Sequence, residues 1–348
     1  MEIISTFENN LNNIKTSSEK ISFIKDLTID SYAFSYLNNS FTIINSINNI
    51  LFIIYTNGYK SIISYNLIKN QIMSVIKNAH DETITSFRSF LDIVNKRDLI
   101  LSISDLDNNI KLWNIKDWNC LLDLKNVNSN GFLCSACFLK HDNQIYILTS
   151  NNDSHDFYYD NSESIKVYDF NGNKQKELNN SNYATYFLDT FYDHKLSNNY
   201  IITGNDGYVK SYDYNSNEQY HKYCDNDNSC HLSIVIYFNE NIINLIESSY
   251  DGNIRIWNFH SGILLYKIET SSKPLNGICL WNNNFLFVGC NDNNIRLIDI
   301  DNKKVINTIK GHNSWVLSLI KINYLKYGEC LISQGYGNDS IKLWIFKI

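Results

Sequence analysis

Short apolar segments, several with strict alternation, run along most of this chain, and turn residues bound each of them. Examples are "DLILSIS" at 98–104, "NYIITG" at 199–204 and "ILLYKIE" at 263–269. A period of two puts alternate side chains on opposite faces, which is typical of β-strands. The Asp-Gly and Asn-rich segments between them tolerate the positive backbone φ that tight turns need. The pattern predicts an all-β chain of short antiparallel strands.

One phrase, a turn followed by an alternating strand, recurs along the chain. It is clearest as "DNNIKLWNI" at 107–115 and "DGNIRIWNF" at 251–259. Aligned on its aromatic position, the copies fall at Tyr65, Trp113, Tyr168, Tyr212, Trp257, Ile298 and Trp344. The spacings are 48, 55, 44, 45, 41 and 46 residues. Seven units with room for four short strands each have the period of propeller blades.

The last unit carries the most specific signature. "GHNSWVLSL" at 311–319 has a Gly-His before the inner strand, and "IKLW" at 341–344 closes the third strand. "NAHDETITSF" at 78–87 is a degraded copy of the first part. On these residues the chain resembles the WD40 family over nearly its whole length, although no Trp-Asp ending is intact. The resemblance implies a seven-bladed β-propeller of four-stranded antiparallel blades, with an incomplete His–Ser–Asp–Trp hydrogen-bond chain in most blades.

The last repeat supplies only three strands, and an open sheet edge is rarely left bare. We therefore expect a strand within residues 20–38 to complete the last blade and close the ring. Two alternating segments compete for this role, 21–28 and 33–38, and we favour 21–28. Residues 1–18 are expected to be a frayed polar N-terminus, and 19–348 a single propeller.

Bulk composition narrows the class of protein. The net charge of −6 argues against a nucleic-acid partner, which would favour a basic surface. The N-terminus lacks the pattern of a secretory signal, and the longest apolar run, at 50–55, is too short to span a bilayer. Eight cysteines are then expected to be free thiols. We expect an intracellular protein, cytoplasmic or nuclear, with no membrane insertion and no cofactor.

Residues that could carry chemistry are better explained as structural. "CSAC" at 134–137 has metal-site spacing, but it lies in a predicted inner strand without a second pair at matching distance. Asp107, Asp206, Asp251 and Asp292 recur once per repeat, as turn residues do and catalytic residues do not. His80 and His312 are expected to bond within their own blades. No phosphate-binding loop or nucleophile elbow is present, and the predicted inner strands are nearly free of titratable groups, so we predict neither a catalytic nor a metal site.

The third repeat is the longest, and its extra residues, 151–163, lie between the second and third strands. This insertion is either a tolerated surface loop or a contact surface, and we favour the contact surface because aromatic residues dominate interface hot spots. It belongs to one rim of the expected propeller. The loops that enter the inner strands and the loops that join strands two and three both lie on this rim, and acids outnumber lysines there by 14 to 5. The residues expected to bind a partner are Asp153, His155, Asp156, Phe157, Tyr158, Tyr159, Asp160, Asp225, Asp227 and Trp315.

These features predict a non-enzymatic scaffold or adaptor that receives a protein, such as a basic or extended peptide, on this acidic rim. The alternative is a substrate receptor of a ubiquitin ligase. That variant of the family ends its repeat with Trp-Asp-x-Arg, and "WNIK" at 113–116 resembles this ending loosely. A propeller enzyme with a central-channel site is the less expected third possibility. Oligomeric state does not follow from the sequence.

Overall fold

The fold is described from a computed structural model. The structure describes residues 22–29, 31, 41–46, 50–56, 60–125, 127, 132–152, 164–179, 185–226, 228–239 and 242–347. The competing segment 33–38 and the expected frayed residues 1–18 lie outside this part of the chain.

Twenty-eight strands make up the described fold. In chain order they are β1 (Ser22–Ile29), β2 (Thr42–Asn45), β3 (Leu51–Tyr55), β4 (Ile62–Asn66), β5 (Gln71–Ile76), β6 (Ile84–Asp92), β7 (Arg97–Ser104), β8 (Asn109–Asn114), β9 (Asn119–Leu124), β10 (Phe132–His141), β11 (Gln144–Asn152), β12 (Ser164–Tyr168), β13 (Lys174–Asn179), β14 (Phe187–Asp193), β15 (Asn198–Asn205), β16 (Tyr208–Asp213), β17 (Gln219–Tyr223), β18 (His231–Asn239), β19 (Ile242–Ser249), β20 (Asn253–Asn258), β21 (Leu264–Glu269), β22 (Leu275–Leu280), β23 (Phe285–Cys290), β24 (Asn294–Asp299), β25 (Lys304–Lys310), β26 (Val316–Tyr324), β27 (Gly328–Gly335) and β28 (Ile341–Lys347).

The strands form seven antiparallel sheets of four, as the repeat predicts. Blades 1 to 6 are β2–β5, β6–β9, β10–β13, β14–β17, β18–β21 and β22–β25, each in sequence order from the inside outwards. Blade 7 has the order β26, β27, β28, β1, so the strand at 22–29 pairs with the strand at 341–347. The register places Leu27 opposite Leu343 and Ile29 opposite Ile341. The fold is therefore an all-β, seven-bladed propeller.

Apolar packing between blades holds the ring together. Each pair of neighbouring blades encloses a cluster of buried side chains, giving seven clusters among the described residues. The cluster between blades 7 and 1 includes Ile29 of β1, Ile53 and Tyr65 of blade 1, and Ile332 and Leu343 of blade 7. Because a blade has too little core of its own, each sheet depends on both neighbours for burial.

The repeated phrase has the same local structure in the copies that the structure describes. In blades 1 to 6 the pairing of strands three and four shifts register just before the aromatic position, for example between Leu112 and Trp113. Such a β-bulge bends and twists the strand. The turn before the third strand has positive φ at Asn108, Gly207, Gly252 and Asn293. The sequence prediction of left-handed turn residues at these points is confirmed.

Candidate functional site

The loops that lead into the inner strands and those that join strands two and three lie at one end of the ring, called the top rim here. The hairpins between strands one and two, and between three and four, form the opposite bottom rim. Of the residues predicted to bind a partner, the structure describes Asp225 and Trp315. The others lie outside the described residues: Asp153, His155, Asp156, Phe157, Tyr158, Tyr159, Asp160 and Asp227.

The strands on either side of the predicted insertion end and begin at the top rim. Strand β11 ends at Asn152 and β12 begins at Ser164, so eleven residues, 153–163, join them. In the other six blades the same connection has two to six residues. The insertion thus belongs to this one blade, which is unusual in a repeat where every other blade turns tightly.

Trp315 lies at the entrance to the inner strand of blade 7. It is half-buried, and its ring stacks on Tyr336 with centroids 5.3 Å apart and planes at 29°. The backbone N–H of Tyr336 donates to the carbonyl of Trp315 at 2.8 Å, which holds the two loops together. Trp315 is therefore neither fully exposed nor a core residue, and the pair forms a rigid, partly accessible aromatic surface.

Asp225 is engaged with cations of its own chain. Its Oδ2 lies 2.8 Å from Nε of Arg255 and 2.9 Å from Nζ of Lys267. Arg255 is fully buried and also donates to Asp251, with Nη2 2.5 Å from Oδ2. Burial would raise the pKa of Asp251, but the hydrogen bonds from Arg255 and Asn253 outweigh it and lower that pKa below its usual value.

Blade 5 also carries a buried carboxylate that sequence reasoning missed. Glu247 on β19 is fully buried, accepts a hydrogen bond from Trp257 Nε1 at 2.9 Å, and forms an ion pair with His231. Its register position, opposite Arg255, matches that of Ser102 opposite Lys111 in blade 2. A glutamate therefore replaces the serine of the repeat, and Arg255 and His231 surround it with positive or proton-donating groups.

Blade 7 contains the complete network that the resemblance implies, and blade 2 contains most of it. In blade 7, His312 Nε2 lies 2.6 Å from Ser333 Oγ, Trp344 Nε1 donates to the same oxygen at 2.7 Å, and His312 Nδ1 lies 2.8 Å from Asp339. In blade 2, His80 and Trp113 bond to Ser102 in the same way, but His80 Nδ1 lies 3.4 Å from Asp107 without a hydrogen bond. The expectation that both histidines bond within their own blades is confirmed.

These networks also affect the ionisation of their aspartates. Burial raises the pKa of the Asp339 carboxyl, but hydrogen bonding and charge from His312 outweigh burial and bring that pKa well below its usual value. Two backbone N–H groups, of Asn313 and Ser314, also donate to Asp339. Asp339 therefore fixes the loop that precedes the inner strand, which is a structural role.

Intrachain pairing reduces the acidic character expected of the top rim. Asp292 pairs with Arg296, and Asp339 lies 3.3 Å from Lys342. These cations stand two residues before the aromatic position of the repeat, a place that is basic in blades 2 to 7: Lys111, Lys166, Lys210, Arg255, Arg296 and Lys342. The rim tally from sequence omitted them because they belong to strands. Several turn aspartates are thus neutralised by their own blade.

The central channel carries three charged groups, although the sequence predicts inner strands nearly free of them. Arg88, Asp189 and Lys321 line two cavities of about 440 and 420 Å³ between the inner strands. Arg88 donates to the carbonyls of Ala136 and Leu188, at 3.3 and 3.1 Å, so its guanidinium bridges blades 3 and 4. The lining of these cavities includes no histidine or glutamate. Lys321 likewise joins two blades, since its Nζ donates to the carbonyl of Trp281 at 2.6 Å.

The remaining candidates for chemistry are residues that could bind a metal and cysteines that could react. Within the described ranges, no group of three or more His, Cys, Asp or Glu side chains has an arrangement that could hold a metal ion. Seven described cysteines are free thiols, and burial raises the pKa of Cys137 in the "CSAC" segment well above its usual value. Nor does any helix in the described residues have the length and apolar character that crossing a membrane requires.

Comparison with known proteins gives partial matches. The chain is 25% identical over 113 residues to the U3 small nucleolar RNA-associated protein 21 homolog of Schizosaccharomyces pombe, covering 32% of this chain and 12% of that protein. It is 30% identical over 95 residues to Autophagy-related protein 16 of Arabidopsis thaliana, covering 27% of this chain and 18% of that protein. The matches thus span less than a fifth of either relative. No protein-family model matches. The seven four-stranded blades show a seven-bladed β-propeller, and its hydrogen-bond networks and these partial similarities make it similar to WD40-repeat proteins.

Proposed function

We propose that this chain is a non-enzymatic scaffold or adaptor that binds a protein partner on its top rim. The general role is supported by a rigid ring whose blades depend on one another for their cores, because such a ring presents loops in fixed positions. The surface is the stacked pair Trp315 and Tyr336 together with the insertion at 153–163. The location is intracellular, which the free thiols support.

The observation that carries the proposal is the stacking of Trp315 on Tyr336. A half-buried aromatic pair loses little conformational entropy on binding, since its rings are already held. Tryptophan and tyrosine are enriched among residues that dominate binding energy. In our proposal Phe157, Tyr158 and Tyr159 of the insertion extend this surface, as aromatic anchors for an extended peptide.

Charge supports a basic peptide less strongly than the sequence alone suggests. Asp225 already faces Arg255 and Lys267, so it adds little free negative charge. Asp81 is exposed on the same rim, and Glu82 lies 3.8 Å from the exposed Lys60. With Asp153, Asp156 and Asp160 of the insertion, these acids are the proposed charge partners, and they act on the association rate more than on affinity.

The test is a fluorescence binding measurement of the purified chain against basic, acidic and neutral extended peptides. Trp315→Ala and the double variant Tyr158→Ala/Tyr159→Ala should each weaken binding of the basic peptides at least about tenfold, the size typical of a hot-spot residue. The matched control is Tyr192→Ala, a tyrosine on the bottom rim that is also partly exposed. Equal losses in all variants, or no preference for basic peptides, would contradict the proposal.

A further inference from the structure

The bottom rim presents apolar side chains at the tips of its hairpins. In blade 2, Ile93 and Val94 are 74% and 67% exposed, and in blade 7 Leu325 is 86% exposed. Five of the seven blades carry such residues in or beside these turns: Ile68, Leu91, Ile93, Val94, Tyr192, Leu196, Phe238, Ile242, Ile263 and Leu325. Large aliphatic side chains are unusual at turn tips, where polar residues prevail. None of them contributes to the clusters between blades.

Exposed lysines accompany these apolar tips. Lys69 follows Ile68, Lys96 lies two residues after Val94, and in the other two turns Lys195 precedes Leu196 and Lys326 follows Leu325. Each apolar tip in blades 1, 2, 4 and 7 therefore has a cation beside it.

The acids of the same turns face inward. Asp92 is 2% exposed and accepts hydrogen bonds from Asn95 and Arg97. Asp193 is 1% exposed and lies 3.0 Å from His260 Nε2. The exposed carboxylates of the bottom rim belong to other turns: Asp117, Asp142, Glu218 and Asp301. Two partly exposed acids flank these hairpins, Asp98 in blade 2 and Glu329 in blade 7, and Glu329 pairs with Lys321. Apart from these, the charged groups that the apolar hairpins expose, in the part of the chain described here, are positive.

The arrangement of the apolar tips indicates what kind of surface they fit. They are spread around the ring instead of forming one contiguous patch, and all of them point to the same side because every hairpin of this kind lies at the same end of its blade. A protein partner is bound through a contiguous buried core. A second copy docked face to face would bring lysines of both copies together. Separate apolar tips, with a cation beside them in four of the five blades, suit a broad negatively charged surface.

We propose that the bottom rim docks on an anionic lipid surface. The side chains of Ile93, Val94, Leu196 and Leu325 enter the boundary between headgroups and acyl chains, and the neighbouring lysines contact the anionic headgroups. This contact is peripheral and reversible, and no segment crosses the bilayer. The top rim remains open on the opposite side, so a docked ring would hold its protein-binding surface away from the membrane.

The experiment is co-sedimentation of the full chain with vesicles of phosphatidylcholine alone or with added phosphatidylserine. The chain should sediment with the serine-containing vesicles and not with phosphatidylcholine alone. The double variant Ile93→Ser/Val94→Ser should weaken binding at least about tenfold, because the tip of blade 2 loses the hydrocarbon that would enter the lipid. The matched control is Leu106→Ser, since Leu106 is 51% exposed in the same blade but on the top rim, and its binding should be unchanged.

Two charge-reversal variants test the contribution of the lysines separately. Lys326→Glu should reduce binding to serine-containing vesicles, while Lys77→Glu on the top rim should not, because only the first charge faces the lipid. All of these side chains are exposed, so the variants should keep the melting temperature of the wild type, which circular dichroism checks.

Three results would overturn the proposal. The wild type could fail to sediment with either vesicle, or Leu106→Ser could lose binding as fully as the bottom-rim variant. The third is a dimer by light scattering that Ile93→Ser/Val94→Ser converts to a monomer without vesicle binding, which would assign the face to a second copy. Because the peptide measurement uses other residues on the other rim, failure here leaves the proposed scaffold role standing.

Discussion

The carboxylate buried in blade 5 offers a sharp test of how this propeller is stabilised. Glu247 stands where blades 2 and 7 have Ser102 and Ser333, and it holds Trp257, His231 and the neighbourhood of Arg255 together. Its side chain is fully buried, so solvent does not screen these interactions. Replacing it by alanine removes the acceptor while the groups around it remain buried.

The expected cost follows from what is left behind. Loss of the Trp257 hydrogen bond costs about 1 kcal/mol. Removing one partner of a buried ion pair costs about 3–5 kcal/mol, because the other charge stays buried. Arg255 keeps Asp225 and Asp251 as partners, which limits its share. The two losses sum to about 4–6 kcal/mol, and the partners that Arg255 keeps reduce this, so we expect Glu247→Ala to lower the free energy of unfolding by about 3–5 kcal/mol.

The matched control is Ser102→Ala in blade 2, which removes a neutral hydroxyl that binds His80 and Trp113 and should cost about 1–3 kcal/mol. Glu247→Gln, which keeps an acceptor for Trp257 but not the charge, should fall between the two. Urea unfolding followed by far-ultraviolet circular dichroism measures all three. If Glu247→Ala destabilises the chain no more than Ser102→Ala, the buried charge network does not contribute as argued here.

Three further outcomes follow from local geometry. In the folded chain the pKa of the Asp339 carboxyl lies below its ordinary value of 3.8, so the ionised group stabilises the fold above that pH and this contribution is lost as pH falls. Asp339→Asn should therefore make the melting temperature fall less steeply as the pH is lowered into the acid range. An unchanged slope would refute this. Gly252→Ala should lower the melting temperature more than Gly337→Ala, because both have positive φ but only at Gly252 would a new Cβ overlap a neighbouring carbonyl; equal shifts would contradict the close approach. Ellman's reagent should modify exposed Cys120 in the native chain but Cys279 only on unfolding, because burial raises the pKa of Cys279 to about 12; mass spectrometry of the labelled peptides would reveal the opposite order.

The fold was predictable because the same physical requirement recurs in every blade. A left-handed turn residue at Asn108, Gly207 or Gly252 is followed by an alternating strand and an aromatic position, and the spacing of these features counts the blades. The turn aspartates were correctly interpreted as structural for the same reason. Asp107 and Asp251, for example, each accept a backbone N–H two residues further on.

The candidate site was less predictable, because its properties depend on neighbours that are distant in sequence. Asp225 looked like a free acid, but Arg255 lies thirty residues away and reaches it across the sheet. Arg88 lies on an inner strand and bonds to carbonyls of two other blades, and no local sequence pattern indicates these contacts. A usable signal did exist for Glu247, as an acid inside the apolar segment "NLIESS", and for Ile93 and Val94, as aliphatic residues inside a turn.

Ring closure is the central claim, and cross-linking of strands β1 and β28 tests it most directly. In the register described, Ile24 lies opposite Ile345. Cys330 lies opposite Ile345 on β27, so all variants carry Cys330→Ser. In that background the double variant Ile24→Cys/Ile345→Cys should form a disulfide on mild oxidation, since opposed residues of an antiparallel pair lie about 4.5–5.5 Å apart at Cα. Peptide mapping by mass spectrometry should find this bond, and none in the control Ile24→Cys/Ile72→Cys, whose second cysteine lies on the outer strand of blade 1. Absence of the 24–345 bond, or equal bonding in the control, would contradict a ring closed by the strand at 22–29.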